Sequence, residues 1–263
     1  MALVRREAQP PTGEPEPQAA VPPGTVIYAL GDLHGRDDLL AEMHAGVLAD
    51  AAGRLAKRRV LVYLGDYLSR GRDSRAVIER VLDWHPPGWE IVCLMGNHED
   101  LVLRFLAGDP RPGRHWLDFG GVAALANYGL PLADPEARDA TTLASLRERL
   151  LRGLPPRHLA FLEHLPLFHR EGGYFFVHAG VLPGVPLERQ IRRDLVWIRN
   201  RFRASKLAHG AVVVHGHCIT PEPEVRANRI GIDTGAYHSD LLTCLVLEGA
   251  GREFLQTKRT ATT

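Results

Sequence analysis

Six side chains that could bind metal ions follow short apolar segments of the chain. They are Asp32, His34, Asp66, Asn97, His178 and His217. All six offer oxygen or nitrogen, which suits Mn²⁺, Fe or Zn²⁺ better than Ca²⁺ or a structural zinc. Six ligands are too many for one open catalytic ion and fit two ions, which together can activate a water and neutralise a phosphoryl group. The sequence therefore predicts a centre with two divalent cations.

The spacing of these donors indicates how the fold would bring them together. Strands are predicted at residues 26–30, 60–64 and 91–95, and helices at 37–52, 74–84 and 99–106. This alternation predicts a βαβαβ unit with a parallel sheet, in an α/β fold. Right-handed crossovers place the carboxyl ends of such strands at one edge, where ligands bind in open α/β sheets. Asp32, Asp66 and Asn97 each follow one of these strands, so we expect them at that edge.

The remaining segments are expected to form a tail, a cap and a second sheet. Residues 1–23 contain six prolines and no apolar periodicity, which indicates a disordered tail before one domain at 24–263. Residues 108–166 are interrupted by Gly and Pro and are expected to form a helical cap, with helices at 142–152 and 157–165. A mixed second sheet is expected from strands at 174–177, 211–214, 230–232, 241–247 and 253–256.

Composition excludes several functional classes. The 263 residues include 32 Lys and Arg against 31 Asp and Glu, a net charge of +1, which gives no electrostatic reason to expect binding to nucleic acid or anionic membranes. No apolar run approaches the ~18–20 residues of a membrane span. Cys93, Cys218 and Cys244 form no CxxC pair, so we expect buried thiols in a reducing, cytoplasmic compartment.

The strand-end motifs together resemble those of a known family. The motifs are GDLHG at 31–35, GDYLSRG at 65–71, GNHE at 96–99, HAG at 178–180 and GH at 216–217, followed by GIDTG at 231–235. They resemble the phosphoprotein phosphatase family of calcineurin-like metallophosphoesterases, and the resemblance covers about four-fifths of the chain. It implies a sandwich of two mixed β-sheets with a βαβαβ core, flanked by helices.

The resemblance also implies a cofactor and a mechanism. The cofactor is a pair of divalent cations, for which the bacterial members suggest Mn²⁺, with Fe or Zn²⁺ as alternatives. The first cation would be held by Asp32, His34 and Asp66, and the second by Asp66, Asn97, His178 and His217. A hydroxide bridging the two cations would attack phosphorus directly, without a phosphoenzyme.

Three further residues take roles by the same resemblance. His98 would donate a proton to the leaving oxygen. Arg70 would bind the phosphate, because a planar guanidinium matches two of its oxygens. Arg199, in the Trp-x-Arg stretch at 197–199, would supply a second guanidinium, with Arg201 and Arg203 as competitors. His115 and His215 are expected to be supporting or structural histidines, whereas His238, which follows the segment 233–235, is expected to line the pocket.

One position departs from the family pattern and bears on the substrate. Family protein phosphatases usually read GDxxDRG, and Ser69 stands here in place of the second Asp. A serine hydroxyl does not stabilise a protonated His98 by charge, so poor leaving groups such as serine alkoxides would suffer most. Phosphotyrosine, aryl phosphates and phosphoanhydrides would suffer less.

Three hypotheses on function follow. The first is hydrolysis of phosphomonoesters on phosphoproteins, at Ser/Thr or Tyr, or on phosphorylated small molecules. It is favoured by Trp116, Gly120-Gly121 and the segment 127–129, which resemble bacterial serine/threonine phosphatases. The alternative is a dinucleoside polyphosphate hydrolase of the symmetrical bis(5'-nucleosyl)-tetraphosphatase type, which also lacks that Asp. A non-catalytic phosphate-binding scaffold is the third, although the full donor set and His98 favour catalysis.

Overall fold

A computed structural model describes residues 3–8 and 19–257 of the chain. The strands are β1 Val4–Glu7, β2 Thr25–Leu30, β3 Arg58–Tyr63, β4 Trp89–Cys93, β5 Phe168–Glu171, β6 Tyr174–Val177, β7 Val212–His215, β8 Glu224–Val225, β9 Arg229–Gly231, β10 Thr243–Glu248 and β11 Gly251–Gln256. The α-helices are α1 Asp37–Ala52, α2 Ser74–Asp83, α3 Asn97–Leu106, α4 Pro110–Trp116, α5 Val122–Asn127, α6 Ala140–Gly153, α7 Pro156–Glu163, α8 Arg192–Trp197, α9 Asn200–Arg203 and α10 Ala236–Ser239.

The first sheet contains the predicted parallel unit. Its strand order is β1-β11-β10-β2-β3-β4, in which β2, β3 and β4 run parallel. The register pairs Leu30 with Tyr63 and Tyr63 with Cys93, so the three strands end at the same level. The motifs that follow these strands therefore meet at one edge of the sheet, as the spacing predicts.

The second sheet is mixed and has the order β5-β6-β7-β9-β8. Strands β6, β7 and β9 are parallel, whereas β5 and β8 are antiparallel edge strands. The predicted assignment of 241–247 and 253–256 to this sheet is wrong, because β10 pairs antiparallel with β2 and β11 pairs with β10. These last strands instead extend the first sheet beyond β2. The sequence pattern of a short antiparallel hairpin is the same in either sheet, so it does not specify the partner.

The two sheets enclose one apolar layer, and helices cover the outer face of the first sheet. Ile27, Val60, Phe176 and Val214 belong to the inner layer and are fully buried. On the outer face, α1, α2 and α3 pack with the helices from 110 to 163 in a second apolar cluster. The segment expected as a cap is indeed helical, and α4 to α7 contact α2 and α3. No described helix is both long and apolar enough to cross a membrane.

Part of the segment expected as a disordered tail is ordered. Strand β1 pairs antiparallel with β11, with Val4 opposite Gln256 and Glu7 opposite Glu253. Ala19 and Val21 are buried in the layer between the sheets. The prediction fails here because an edge strand takes its stability from backbone pairing with β11, which leaves almost no hydrophobic pattern. Residues 1–2 and 9–18 of the predicted tail lie outside the described residues.

Candidate metal centre

The edge where β2, β3 and β4 end meets the ends of two strands of the second sheet. Five short loops converge there, after β2, β3, β4, β6 and β7. All six donors predicted from the sequence lie at this point, each no more than 6% exposed: Asp32, His34, Asp66, Asn97, His178 and His217. The structure thus brings together residues separated by up to 185 positions.

Asp66 lies at the centre of this group. One of its carboxylate oxygens, Oδ2, is 3.3 Å from His34 Nε2, and the other, Oδ1, is 3.6 Å from His178 Nε2. The Nδ1 atoms of both histidines are 2.9 Å from backbone carbonyls, those of Leu68 and Leu64. Donation from Nδ1 to these carbonyls leaves the Nε2 lone pairs directed at the Asp66 carboxylate. This is the tautomer that a metal-binding imidazole requires.

The other donors complete two sides of the group. Asn97 Oδ1 is 2.9 Å from His178 Nε2. Asp32 accepts the backbone N–H of His217 at 3.1 and 3.2 Å. The Asp32 and Asp66 carboxylates lie against Gly216 and Gly96, where any side chain would collide with them. Glycine at these two positions therefore leaves room for the carboxylates.

The electrostatics of the group fit divalent cations. Burial, followed by the nearby carboxylates of Asp233 and Asp66, raises the pKa of Asp32 well above its usual value. Burial also raises the pKa of Asp66 to about 7 and lowers that of His34 to about 3. The site thus contains neutral imidazoles with free lone pairs, and buried carboxylates whose negative charge is not neutralised by neighbouring cationic groups. Divalent cations would bind the lone pairs and neutralise the carboxylates. In addition, the buried Nε2 of His217 has no hydrogen-bond partner among the described residues.

Two sets of three donors have atoms close enough to share an ion. One is Asp66, His178 and His217, and the other is His34, Asp66 and His98, with the atoms of each set within 4.8 Å of one another. Asp66 belongs to both, which agrees with its expected bridging role. The first cation was expected to bind Asp32, His34 and Asp66, but the corresponding set in the structure contains His98 and not Asp32. Asp32 is nevertheless close to the group, since its Oδ1 lies 3.9 Å from His178 Nδ1.

The backbone at this edge is strained. Six described residues other than glycine have a positive φ, and five of them are in the site loops: His34, Asp66, Ser69, Arg70 and His217. Left-handed backbone costs a non-glycine residue free energy, of order 1–3 kcal/mol in sparsely populated regions, and persists where the surroundings impose it. Such strain clusters at functional sites, which supports this edge as one.

Glu99 is a site residue whose role the sequence analysis missed. It is fully buried, and its carboxylate accepts four backbone N–H groups. Oε1 accepts those of Tyr67 and Leu68 at 3.0 and 3.1 Å, and Oε2 those of Asp66 and Gly96 at 2.9 and 3.1 Å. Glu99 therefore ties the loop that carries Asp66 to the start of α3. The Glu of the GNHE motif was the available signal.

The Ser69 hydroxyl and backbone N–H form hydrogen bonds with Trp116 and Ser74, not with His98. The Ser69 hydroxyl accepts the Trp116 Nε1–H at 2.8 Å, and its backbone N–H donates to Ser74 Oγ at 2.9 Å. The Nδ1 atom of His98 is buried without a hydrogen-bond partner among the described residues, while its Nε2 is 4.0 Å from Asp66 Oδ2. Burial is the main reason that the pKa of His98 falls well below its usual value. Ser69 therefore makes no hydrogen bond to His98.

Two arginines lie around the donor group. Arg70 is half-buried, and its guanidinium carbon lies 4.9 Å from the centre of the Tyr237 ring. Arg199 is exposed, and its charge lowers the pKa of Asp66 and of His217. The charge of Arg203 instead lowers the pKa of His215 and of Glu224. Arg199 is therefore the better candidate than Arg203 for a second phosphate ligand.

Asp233 and Tyr237 also border the site, and the sequence analysis gave them no role. Asp233 is buried and accepts the Gly235 N–H at 2.9 Å, and its charge raises the pKa of Asp32. The Tyr237 ring meets the His34 ring edge-on at 5.4 Å. The GIDTG motif, which contains Asp233 and ends two residues before Tyr237, was the available signal. His215 packs its ring against Phe202 at 5.1 Å, as expected of a structural histidine.

Comparison with known proteins is consistent with this geometry. A model of the calcineurin-like phosphoesterase family matches residues 25–241. The curated symmetrical bis(5'-nucleosyl)-tetraphosphatase of Nitrosomonas europaea is 31% identical over 72% of this chain and 59% of its own length. That of Acidovorax sp. (strain JS42) is 30% identical over 60% of this chain and 44% of its own. The chain thus spans about half the length of the curated relatives it matches.

Solved structures share the fold at low sequence identity. A crystal structure provisionally named a diadenosine tetraphosphatase has a TM-score of 0.59 and 18% identity, covering 94% of this chain and 97% of that one. The cold-active protein-tyrosine phosphatase of a Shewanella species has a TM-score of 0.50 and 16% identity, covering 90% and 83%. At these identities the likeness concerns the fold alone.

Proposed function

The chain belongs to the calcineurin-like phosphoesterase family, and we propose that it hydrolyses phosphoanhydride bonds of dinucleoside polyphosphates with the help of two divalent cations. The proposed substrate class rests on His98, whose buried Nδ1 has no hydrogen-bond partner among the described residues. The proposal of two divalent cations rests on the six buried donor side chains.

The cations would be held by the six buried donors around Asp66. When bound, two such ions acidify a water molecule and neutralise the charge of a phosphoryl group. The carbonyls of Leu64 and Leu68 keep His178 and His34 in the tautomer that accepts a metal. Glu99 holds the Asp66 loop in place through four backbone hydrogen bonds. Mn²⁺ is the ion we propose, and a reducing cytoplasm is its proposed setting.

Arg70 and Arg199 would bind the phosphate that reacts. Neither guanidinium has a hydrogen bond to another described residue, so both are available to phosphate oxygens. A pair of guanidiniums binds and orients a phosphoryl group through charge-assisted hydrogen bonds. The Arg70 guanidinium packs against the ring of Tyr237, which in turn contacts the ring of His34.

The leaving group follows from the surroundings of His98. A general acid works best when a neighbouring group stabilises its protonated form, and no described residue does so at Nδ1 of His98. An alkoxide from phosphoserine needs a proton as it leaves, whereas the phosphate of a nucleotide leaves as a stable anion. His98, whose Nδ1 has no hydrogen-bond partner among the described residues, thus suits an anhydride substrate. The symmetrical tetraphosphatases among the relatives provide independent support for this substrate class.

A second candidate is the hydrolysis of phosphotyrosine on proteins. The phenolate leaving group also depends little on general acid catalysis, so the same observation at His98 allows it. The expectation of phosphoserine and phosphothreonine substrates receives less support, because their leaving groups need the strongest acid.

A comparison of substrates tests the proposal. We would measure kcat/KM of the Mn²⁺-loaded protein on diadenosine tetraphosphate, a phosphotyrosine peptide and a phosphoserine peptide, with Asp66→Asn as the control for contaminating phosphatases. The proposal predicts the order dinucleotide, phosphotyrosine, phosphoserine. Phosphoserine turnover equal to that of the dinucleotide would refute the argument from His98.

A further inference from the structure

Three aromatic rings form a chain of contacts that ends beside the metal donor His217, and the mechanism above leaves them without a role. His115 from α4 lies 4.4 Å from the Phe119 ring and 5.8 Å from the Trp197 ring, measured between ring centres. Trp197 in turn lies 6.5 Å from the ring of His217, one of the metal donors. We call His115, Phe119 and Trp197 the aromatic platform.

The platform is anchored to the catalytic loops at both ends. Beside Phe119, the carbonyl of Gly120 accepts the backbone N–H of Arg70 at 3.1 Å. At the other end, Trp197 Nε1 donates to Asp100 Oδ2 at 3.1 Å, on the helix that begins with the donor Asn97. The platform therefore extends from the proposed phosphate ligand Arg70 to the side of His217.

The platform faces solvent, whereas most aromatic rings of this protein are buried. Phe119 is 48% exposed, His115 is exposed and Trp197 is half-buried. Phe119 has backbone angles of φ −106° and ψ 31°, outside the helical range, at a break between α4 and α5. A helix that continued through this point would carry the ring elsewhere. The break thus exposes the Phe119 ring next to Gly120, whose carbonyl is bonded to the Arg70 backbone.

Positive charge lies next to the platform. A groove of about 400 Å³ borders His115 and is lined also by two arginines and one acidic residue, Arg111, Arg114 and Asp118. Arg114 donates to the backbone carbonyl of Arg138 at 2.8 Å, while Arg111 pairs with Asp109. An aromatic face can stack on a planar ring, and a neighbouring guanidinium can bind a phosphate joined to that ring.

We propose that the aromatic platform stacks against the nucleobase of the nucleoside diphosphate that leaves, and so selects nucleotides over bare phosphate chains. This inference rests on the proposed function, because symmetrical cleavage of a four-phosphate dinucleotide releases nucleoside diphosphates. Stacking of a base on one aromatic side chain is sequence-tolerant and is lost when the ring is removed. Arg70 and Arg199 hold the reacting phosphate, and the platform holds the far end of the leaving group.

The test compares Phe119→Ala with Phe119→Trp, which keeps a stacking ring. Phe168→Ala is the matched control, since it removes another exposed phenylalanine, 43% exposed, on β5. We would measure KM and kcat for diadenosine tetraphosphate and for inorganic tripolyphosphate, which has no base. Binding of ADP to each Mn²⁺-loaded protein would be measured by calorimetry, as a readout that does not depend on turnover.

The proposal predicts that Phe119→Ala raises KM for the dinucleotide about tenfold and weakens ADP binding by a similar factor. KM for tripolyphosphate should change much less, Phe119→Trp should restore both values, and Phe168→Ala should match the wild type. Equal changes for the dinucleotide and tripolyphosphate, or ADP binding that Phe119→Ala leaves unchanged, would overturn it. A wild-type protein that fails to cleave the dinucleotide would refute the proposed function, whereas loss of ADP binding in Phe119→Ala would still support the platform.

Discussion

Replacement of Glu99 by Gln tests whether one buried carboxylate organises the metal loop. Each carboxylate oxygen of Glu99 accepts two backbone N–H groups, from Tyr67 and Leu68 or from Asp66 and Gly96. The amide retains one oxygen and presents an N–H₂ group to the other two donors. Loss of two hydrogen bonds, with two buried donors left unsatisfied, should cost about 2–4 kcal/mol of unfolding free energy.

The assay is urea denaturation of chelator-treated protein, so that metal binding does not contribute. Glu148→Gln is the matched control, because Glu148 is exposed and its pairing with Arg152 on α6 spans 3.6 Å. An exposed pair of this kind contributes at most about 1 kcal/mol. A stability of Glu99→Gln within about 0.5 kcal/mol of that control would refute the reasoning, because a typical surface substitution has that effect.

Three further predictions concern pH, substrate and metal. Burial lowers the pKa of His44 to about 3. The free energy of unfolding should therefore be greatest above pH ~6.5 and should decrease below it, because His44 takes up a proton at a higher pH in the unfolded chain than in the folded protein. From pH 7 to 5 the wild type should lose about 2 kcal/mol more than His44→Gln in urea denaturation, and equal losses would contradict this. Ser69→Ala should leave the ratio of kcat/KM on a phosphoserine peptide to that on an aryl phosphate unchanged, because the Ser69 hydroxyl bonds to Trp116 and not to His98; a changed ratio would show that Ser69 acts through His98. Removal of metal should lower the melting temperature, and Mn²⁺ should restore it; a melting temperature unaffected by Mn²⁺ would contradict binding to the folded state.

The sequence predicts the parallel strands of the first sheet and the residues that meet at the candidate site. Apolar strands that each end at a glycine, joined by helix-length segments, leave few arrangements, because crossovers are right-handed and parallel strands end at one edge. Asp32, Asp66 and Asn97 meet at that edge through this topology alone. His178 and His217 join them because the second sheet also ends there, which the motifs indicated.

The parts that the sequence did not predict depend on tertiary contacts. Strand β1 has no hydrophobic pattern and takes its stability from backbone pairing with β11. The bond between Ser69 and Trp116 joins side chains 47 positions apart, and no local pattern indicates it. In the sequence, Glu99 resembles any polar residue near the start of a helix. Its role depends on four backbone N–H groups that only the folded chain brings to its carboxylate.

The number of Mn²⁺ ions bound per chain tests the central claim most directly. Metal content would be measured by mass spectrometry after equilibration with Mn²⁺, for the wild type, Asp66→Asn and the exposed control Asp118→Asn. Because Asp66 belongs to both donor sets, we predict two ions in the wild type and control, and at most one ion and no turnover in Asp66→Asn. Two ions and normal turnover in Asp66→Asn, or an active wild type with no bound metal, would contradict the account.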